Sequence, residues 1–266
     1  MSDQTKGTEF GLSTADRHTS AWFKEHYEEA AGQVVSFLAE DGIDLAGLRV
    51  ADVGCGDGII DLGVMHKGKP AQLVGFDIMA TDTDELLEFA RREGVAEELP
   101  DGLEFRTSEP LRLPADDASF DVVFTWSAFE HISDPLAVAS EIRRILTPDG
   151  KLMLQLWPFF HSEHGAHMWQ SFPEPFIQHL RSAAEIAEVV RAAAAYPPEL
   201  TEEFLEIYNT LNRITLDDLQ RALLGGGLAV TKLQILSETV RIPPQLFRRS
   251  LSHLAVAGVK LLAVPG

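Results

Sequence analysis

The sequence predicts an α/β fold with a mostly parallel sheet, and three observations carry that prediction. Short apolar runs that suit strands buried on both faces alternate with segments of helical periodicity. The first such run, Val50–Val53, passes straight into a turn with glycine at every second position, Gly54, Gly56 and Gly58. Two late apolar runs, Leu228–Ser237 and Val256–Val264, have no full crossover between them and suit an antiparallel pair.

Taken in order, residues 1–19 are polar and unpatterned and are expected to be a flexible segment. His18 and Trp22 are candidates for a stretch that folds over a ligand. From Ser20, the positions Phe23, Tyr27, Ala30, Val34 and Leu38 follow helical spacing until Asp41-Gly42 ends the run. Leu48–Val53 is the first strand, Ile59–Lys67 a helix, Gln72–Asp77 the second strand, and a helix follows from Asp82 to Gly94. Leu103–Thr107 and Phe120–Thr125 are strands three and four. Asp134-Pro135 starts a helix with Pro at its first position, running to Leu146. The turn Thr147–Gly150 leads into strand five, Lys151–Leu156. Residues 158–213 interrupt the pattern as a cap insertion, with helical runs at Pro175–Ala195 and Thr201–Leu211 divided by Pro197-Pro198. Thr215 caps a helix to Leu224, and a short helix after Pro243-Pro244 precedes the final strand. The whole is a Rossmann-like, seven-stranded, mostly parallel sheet with an antiparallel C-terminal strand and a helical cap. At 266 residues it suits one domain, 20–266, carrying that insertion.

Charge narrows the partners. The balance of 22 basic against 41 acidic residues gives a net charge of −19, which repels phosphate backbones and anionic lipid, so nucleic acid and membrane are not expected as partners. A small-molecule substrate fits better, and oligomeric state is unreadable here. A single cysteine, Cys55, excludes an intrachain disulfide and a thiolate metal site, and is compatible with a reducing cytoplasm. No stretch reaches the length of a membrane span without a charge, and the N-terminus lacks an apolar leader core.

The glycine turn carries the chemistry. A dinucleotide fingerprint G-x-G-x-x-G would place its third glycine at Ile59; here it comes one residue early, as G-x-G-x-G, with Asp52 two residues before the first glycine. Asp77 ends the second strand about 20 residues further on, the interval at which Rossmann-like folds place an acid for ribose hydroxyls. The segment LRLPADDASFDVVFTWSAFEHI and then EIRRILTPDGKLMLQL complete a run from Leu48 to Leu156. That run resembles the class I S-adenosylmethionine (SAM) dependent methyltransferases, of the methyltransferase type 11-like, small-molecule kind. The resemblance implies SAM as cofactor, held by Asp52, Gly54, Gly56 and Gly58 at its amino-acid end and by Asp77 at its ribose, with Ile78 as a further cofactor contact. Glu109 and Pro110 stand at the positions that meet adenine, with Trp126 as a wall of the adenine or acceptor site. Ser108, Glu109 and Pro110 depart from the family's Gly-Asp-Ala at these positions.

Methyl transfer requires alignment of nucleophile and methyl in a dry pocket, and a hydroxyl acceptor also requires a base. Histidines concentrate where a base would sit: His131 after strand four, and His161, His164 and His167 after strand five. Gly165-x-His167 resembles a recurring element of these enzymes, so His167 is the expected catalytic base and His131 its support. The expected reaction is transfer to a hydroxyl of a sugar, polyketide or phenol; an amine acceptor, and a non-catalytic SAM-binding partner protein, are the alternatives. No metal is assigned: the triplet at intervals of three, with Glu130 or His131, invites one, but it lies on a loop that does not itself converge the rings, and Ser127 stands where some relatives carry a further acid.

Overall fold

Strand β1 (Arg49–Val53) is buried from Val50 onward, Val50 facing one apolar layer and Ala51 and Val53 the other. This is why an uninterrupted apolar run, rather than an alternating one, marks it as a central parallel strand. The structure, a computed structural model, describes residues 19–168, 171, 174–195, 198–237 and 239–266, so the segment expected to be flexible, with His18, lies outside it except for Thr19. The other strands are β2 (Gln72–Asp77), β3 (Leu103–Thr107), β4 (Phe120–Trp126), β5 (Leu146–Leu156), β6 (Leu228–Ser237) and β7 (Val256–Pro265). They form one sheet in the order β3-β2-β1-β4-β5-β7-β6. Pairs among β1 to β5 are parallel, and β7 runs antiparallel to both β5 and β6.

Helices cover both faces. The entry helix comprises α1 (Ser20–Lys24), a π-helical stretch Glu25–Ala30, and α2 (Ala31–Ala39), with α3 (Ile59–Gly68) beside it. Ala31, Val34 and Leu38 pack with Val64 and Met65 against Val50, Leu73 and Phe124 of the sheet. α4 (Thr83–Arg92), α5 (Pro135–Ile145) and α9 (Leu216–Gly225) complete the layers, capped by Asp82, Asp134 and Thr215. Each cap accepts backbone N–H groups left open at its helix start. On the opposite face, Val138 and Ile142 of α5 and Leu219 and Leu223 of α9 bury against Ala51, Val123 and Leu154.

Between β5 and α9 lie α6 (Ile177–Leu180), α7 (Ala183–Ala193) and α8 (Pro198–Thr210). They have an apolar cluster of their own, in which Ile186 and Val190 meet Phe204, Leu205 and Tyr208. Two local expectations are corrected. The run Pro175–Ala195 is broken at Arg181-Ser182, because Ser182 and Glu185 form a reciprocal capping box that starts a new helix. The turn Thr147–Gly150 falls inside β5 as an irregularity, with Leu146 paired to Phe120 and Lys151 to Val122.

The strand order reverses between β1 and β4. In an open α/β sheet the crevice at that reversal, outside the strands' carboxyl ends, is where ligands bind. The glycine turn, Asp77, Glu130 and His131 all follow carboxyl ends of β1, β2 or β4.

Candidate active site

The turn after β1 is shaped by what its glycines touch. A Cβ on Gly54 would lie 2.3 Å from Ala128 Cβ, and one on Gly58 would lie 2.6 Å from the Phe105 ring; both have left-handed φ, 89° and 76°. Gly56, by contrast, faces open space, so the backbone there is bare toward the crevice. Gly56 N–H donates to Asp77 Oδ2 and Met79 N–H to Asp77 Oδ1, each at 2.9 Å. Asp77 therefore ties the turn to the end of β2, while each of its oxygens keeps a lone pair for a hydroxyl. Asp57 accepts from the Trp22 indole at 2.8 Å, so Trp22 is pinned beside the glycines.

Beyond Asp77, Ile78 is 60% exposed and forms an apolar shelf at the carboxyl end of β2. Glu109 and Pro110 are exposed on the neighbouring loop, which Ser108 N–H joins to the Asp77 carbonyl at 2.8 Å. Trp126 is half-buried against the α2 and α3 layer, with Lys260 Nζ 5.6 Å from its ring centre.

Beneath the turn are orphaned acids. Asp52 and Asp61 are buried, and Asp52 Oδ1 and both Asp61 oxygens have no hydrogen-bond partner among the described residues. Burial first, and then the charge of Asp77 on Asp52 and of Asp52, Asp57 and Asp77 on Asp61, pushes both carboxyls well above the usual range. A buried acid without a donor is costly, and a cationic group brought against it relieves that cost. The fit to SAM is good: bare backbone at Gly56, an acid with open lone pairs at Asp77, and uncompensated carboxyls for a sulfonium and an ammonium.

Across the crevice, Phe129–His131 form a single 3-10 turn after β4. Glu130 is buried with neither carboxylate oxygen hydrogen-bonded among the described residues, and burial pushes it up to about 8. His167 comes to meet it from the loop after β5. Gly165 permits that loop, because a Cβ there would lie 2.1 Å from the Phe160 carbonyl, and His167 itself sits at φ 58°. The His167 Nε2 is buried without a partner while the ring bonds the Pro158 carbonyl, which leaves Nδ1–H as donor and Nε2 as the basic nitrogen. Burial, and then His131, pushes its pKa down to about 3. The His131 and His167 rings meet edge to face at 5.5 Å. Ligand atoms of Glu130, His131 and His167 lie within 4.8 Å of one another, an arrangement able to hold a proton between them or a metal ion.

The histidine triplet divides. His167 joins His131, whereas His161 turns away to stack on His179 and His253. Sequence reading did not single out Asp57, Asp61 or Asn212. Asn212 N–H donates to the Glu130 carbonyl at 3.0 Å, and its side-chain amide donates to those of Phe129 and Ile132 at 2.7 and 2.8 Å. It thus clamps the turn bearing Glu130 and His131. Its only sequence signal was an Asn just before the Thr215 cap.

The strand order and the glycine turn define the class I SAM-dependent methyltransferase fold. Residues 51–154 match the methyltransferase domain family. The ubiquinone biosynthesis O-methyltransferase of Xanthomonas oryzae pv. oryzae is 35% identical over 113 residues, which are 42% of this chain and 44% of that protein. The chain thus spans less than half the length of that relative. A SAM-dependent methyltransferase from Mesorhizobium loti shares the fold with a TM-score of 0.54 at 17% identity, over 89% of this chain and 99% of that one. The cyclase SpnF does so with a TM-score of 0.55 at 19% identity, over 90% and 82%. No helix among the described residues is long and apolar enough to cross a membrane.

Proposed function

We propose that this protein is a SAM-dependent methyltransferase that moves a methyl group to a hydroxyl of a small molecule. The observation that carries the cofactor assignment is the pairing of bare backbone at Gly56 with the orphaned acids Asp52 and Asp61. When bound, the cofactor supplies a methyl group already activated by its sulfonium. Asp52 and the glycine turn hold its amino-acid end, Asp77 its ribose, and Ile78, Glu109, Pro110 and Trp126 surround its base. The helices of 158–213 close over the acceptor, with Gly165 fixing the loop that brings His167 in.

The hydroxyl reading rests on His167. Its neutral ring offers Nε2 as a proton acceptor at any pH above about 3. Such a low pKa alone makes a weak base, but Glu130 is within reach to accompany the charge. A proton on His167 beside an ionised Glu130 compensates two groups that burial otherwise disfavours. His131 flanks both. A cation held by Glu130, His131 and His167, aligning an acceptor oxygen, is the second reading, favoured by the same convergence.

Calorimetry with SAM and its demethylated product tests the cofactor assignment; binding of neither, with NAD bound instead, would favour an oxidoreductase. Turnover of labelled SAM against a panel of phenols, sugars, polyketides and amines tests the acceptor. His167→Ala is expected to lower kcat by about 10²–10⁴-fold. Near-wild-type turnover in both His167→Ala and His131→Ala at neutral pH would replace the base with simple alignment. Dialysis against EDTA separates the two readings of the cluster: an unchanged rate supports the base, and loss restored by a divalent cation supports the metal.

A further inference from the structure

A second group of titratable side chains stands apart from the crevice, where the chain leaves β5. His161 stacks on His179 of α6, with ring centres 5.2 Å apart, and on His253 of α10 (Leu251–Ala255), 5.4 Å apart. Three distant stretches of chain therefore converge on one column of imidazoles. The Arg213 guanidinium lies 4.8 Å above the Phe160 ring next to it. Arg213 and Arg249 both stand close enough for their charge to act on His161 and His179. Neither guanidinium has an ion-pair or hydrogen-bond partner among the described residues, in a chain of net charge −19. His161 and His253 line a small open cavity with Thr215 and Ser252, whose hydroxyls and the backbone there supply further polar atoms. Asp217 also lines it and is the one carboxylate on its wall.

We propose that this column and its two arginines form a binding site for a phosphate-type oxyanion. Two guanidiniums without carboxylate partners provide the fixed charge, and imidazole N–H groups provide donors that gain charge as the anion arrives. Without an anion the assembly is self-repelling. Burial, then His179, His253, Arg249 and Arg213, hold His161 down to about 4, and His179 is held below its usual range by burial and the same arginines. A dianion reverses the sign of the local field, so protons are taken up on binding and affinity rises as pH falls. The groups around the column are His179 from α6, Tyr208 of α8 against the Phe160 ring, Arg213 ahead of α9 and Asp217 in its first turn, and Arg249 ahead of α10 and His253 within it. Of these only Asp217 opposes the anion.

The site lies at the carboxyl end of β5, the end of the sheet that bears the crevice. If the methyltransferase reading holds, it seats an acidic group of the acceptor, so the substrate class is a phosphorylated hydroxyl compound. The ligand chemistry does not depend on that reading. The test is histidine side-chain NMR of the full-length protein titrated with inorganic phosphate, with resonances assigned by single His→Gln variants. Saturable shifts are expected for His161, His179 and His253, with binding weakened at least about tenfold in the exposed-site double variant R213Q/R249Q. Sulfate, whose charge is constant over the range, is expected to bind several-fold tighter at about pH 6 than at about pH 8. Absence of shifts at about 20 mM phosphate, equal shifts with potassium chloride at matched ionic strength, or unchanged affinity in the double variant would each overturn the site. SAM calorimetry on the same preparations reports separately on the cofactor: SAM binding without anion binding defeats only this proposal, and the converse defeats only the methyltransferase reading.

Discussion

Single residues of the crevice differ in what they can lose. Gly54 combines left-handed φ with Ala128 against its missing Cβ, so Gly54→Ala forces either the turn or the Phe129–His131 segment to move. The expected cost is at least about 2 kcal/mol of stability, with loss of cofactor binding measured by calorimetry. Glu130 allows a sharper prediction. Its folded pKa, about 8, lies above its ordinary 4.5, so the folded state binds a proton that the unfolded chain releases. Stability from this group is therefore full below about pH 4.5 and is lost as pH rises through about 8, by an upper bound of roughly 4–5 kcal/mol. Glu130→Gln keeps the shape and removes the titration. Its melting temperature is expected to fall less than the wild type's between about pH 5 and pH 8, while kcat drops about 10²-fold. A wild-type-like pH slope in the variant would show that Glu130 is already ionised and compensated.

At the scale of elements, the turn bearing Glu130 and His131 is held by its neighbours more than by itself. A single 3-10 turn has little intrinsic stability, and Asn212, arriving from the end of the α8 segment, supplies three hydrogen bonds to its carbonyls. Asn212→Ala is expected to lower stability by about 1–3 kcal/mol and to reduce kcat more than SAM affinity, as measured by melting and steady-state kinetics. Such contacts explain what the sequence made legible. Strands β2, β3 and β6 stand at their expected bounds, the central β2 because its apolar run is buried on both faces, and the helices begin where Asp82, Asp134 and Thr215 offer side-chain caps. The glycine turn and Asp77 were legible because their spacing is local. The partners of Glu130 and His161 were not, since Asn212, His179 and His253 reach them across more than 15 residues of chain, and no short-range pattern encodes that. Asp61 was hidden differently: it sits in the first turn of α3, where an acid usually signals a solvated helix start rather than a buried one.

For the molecule as a whole, fold and reaction are separate questions, because the sheet that matches a methyltransferase from Mesorhizobium loti matches the cyclase SpnF about as well. What distinguishes a methyl donor site is its charge. Asp52 and Asp61 have folded pKa values raised by burial first and by neighbouring acids second, so in the unliganded protein they hold protons above the ordinary carboxylate range. A cation brought into the cradle favours the ionised forms, and binding must then expel protons. SAM, which carries a sulfonium, is expected to release more protons than its neutral-thioether product, and its affinity is expected to rise with pH until both acids ionise unaided. Calorimetry at about pH 6 in buffers of different ionisation enthalpy measures the proton count directly. Asp61→Asn is expected to reduce the release seen with SAM and to flatten the affinity's rise with pH. Proton uptake on SAM binding, or equal release with SAM and its product, would place the sulfonium away from these acids and remove the electrostatic basis for the cofactor assignment.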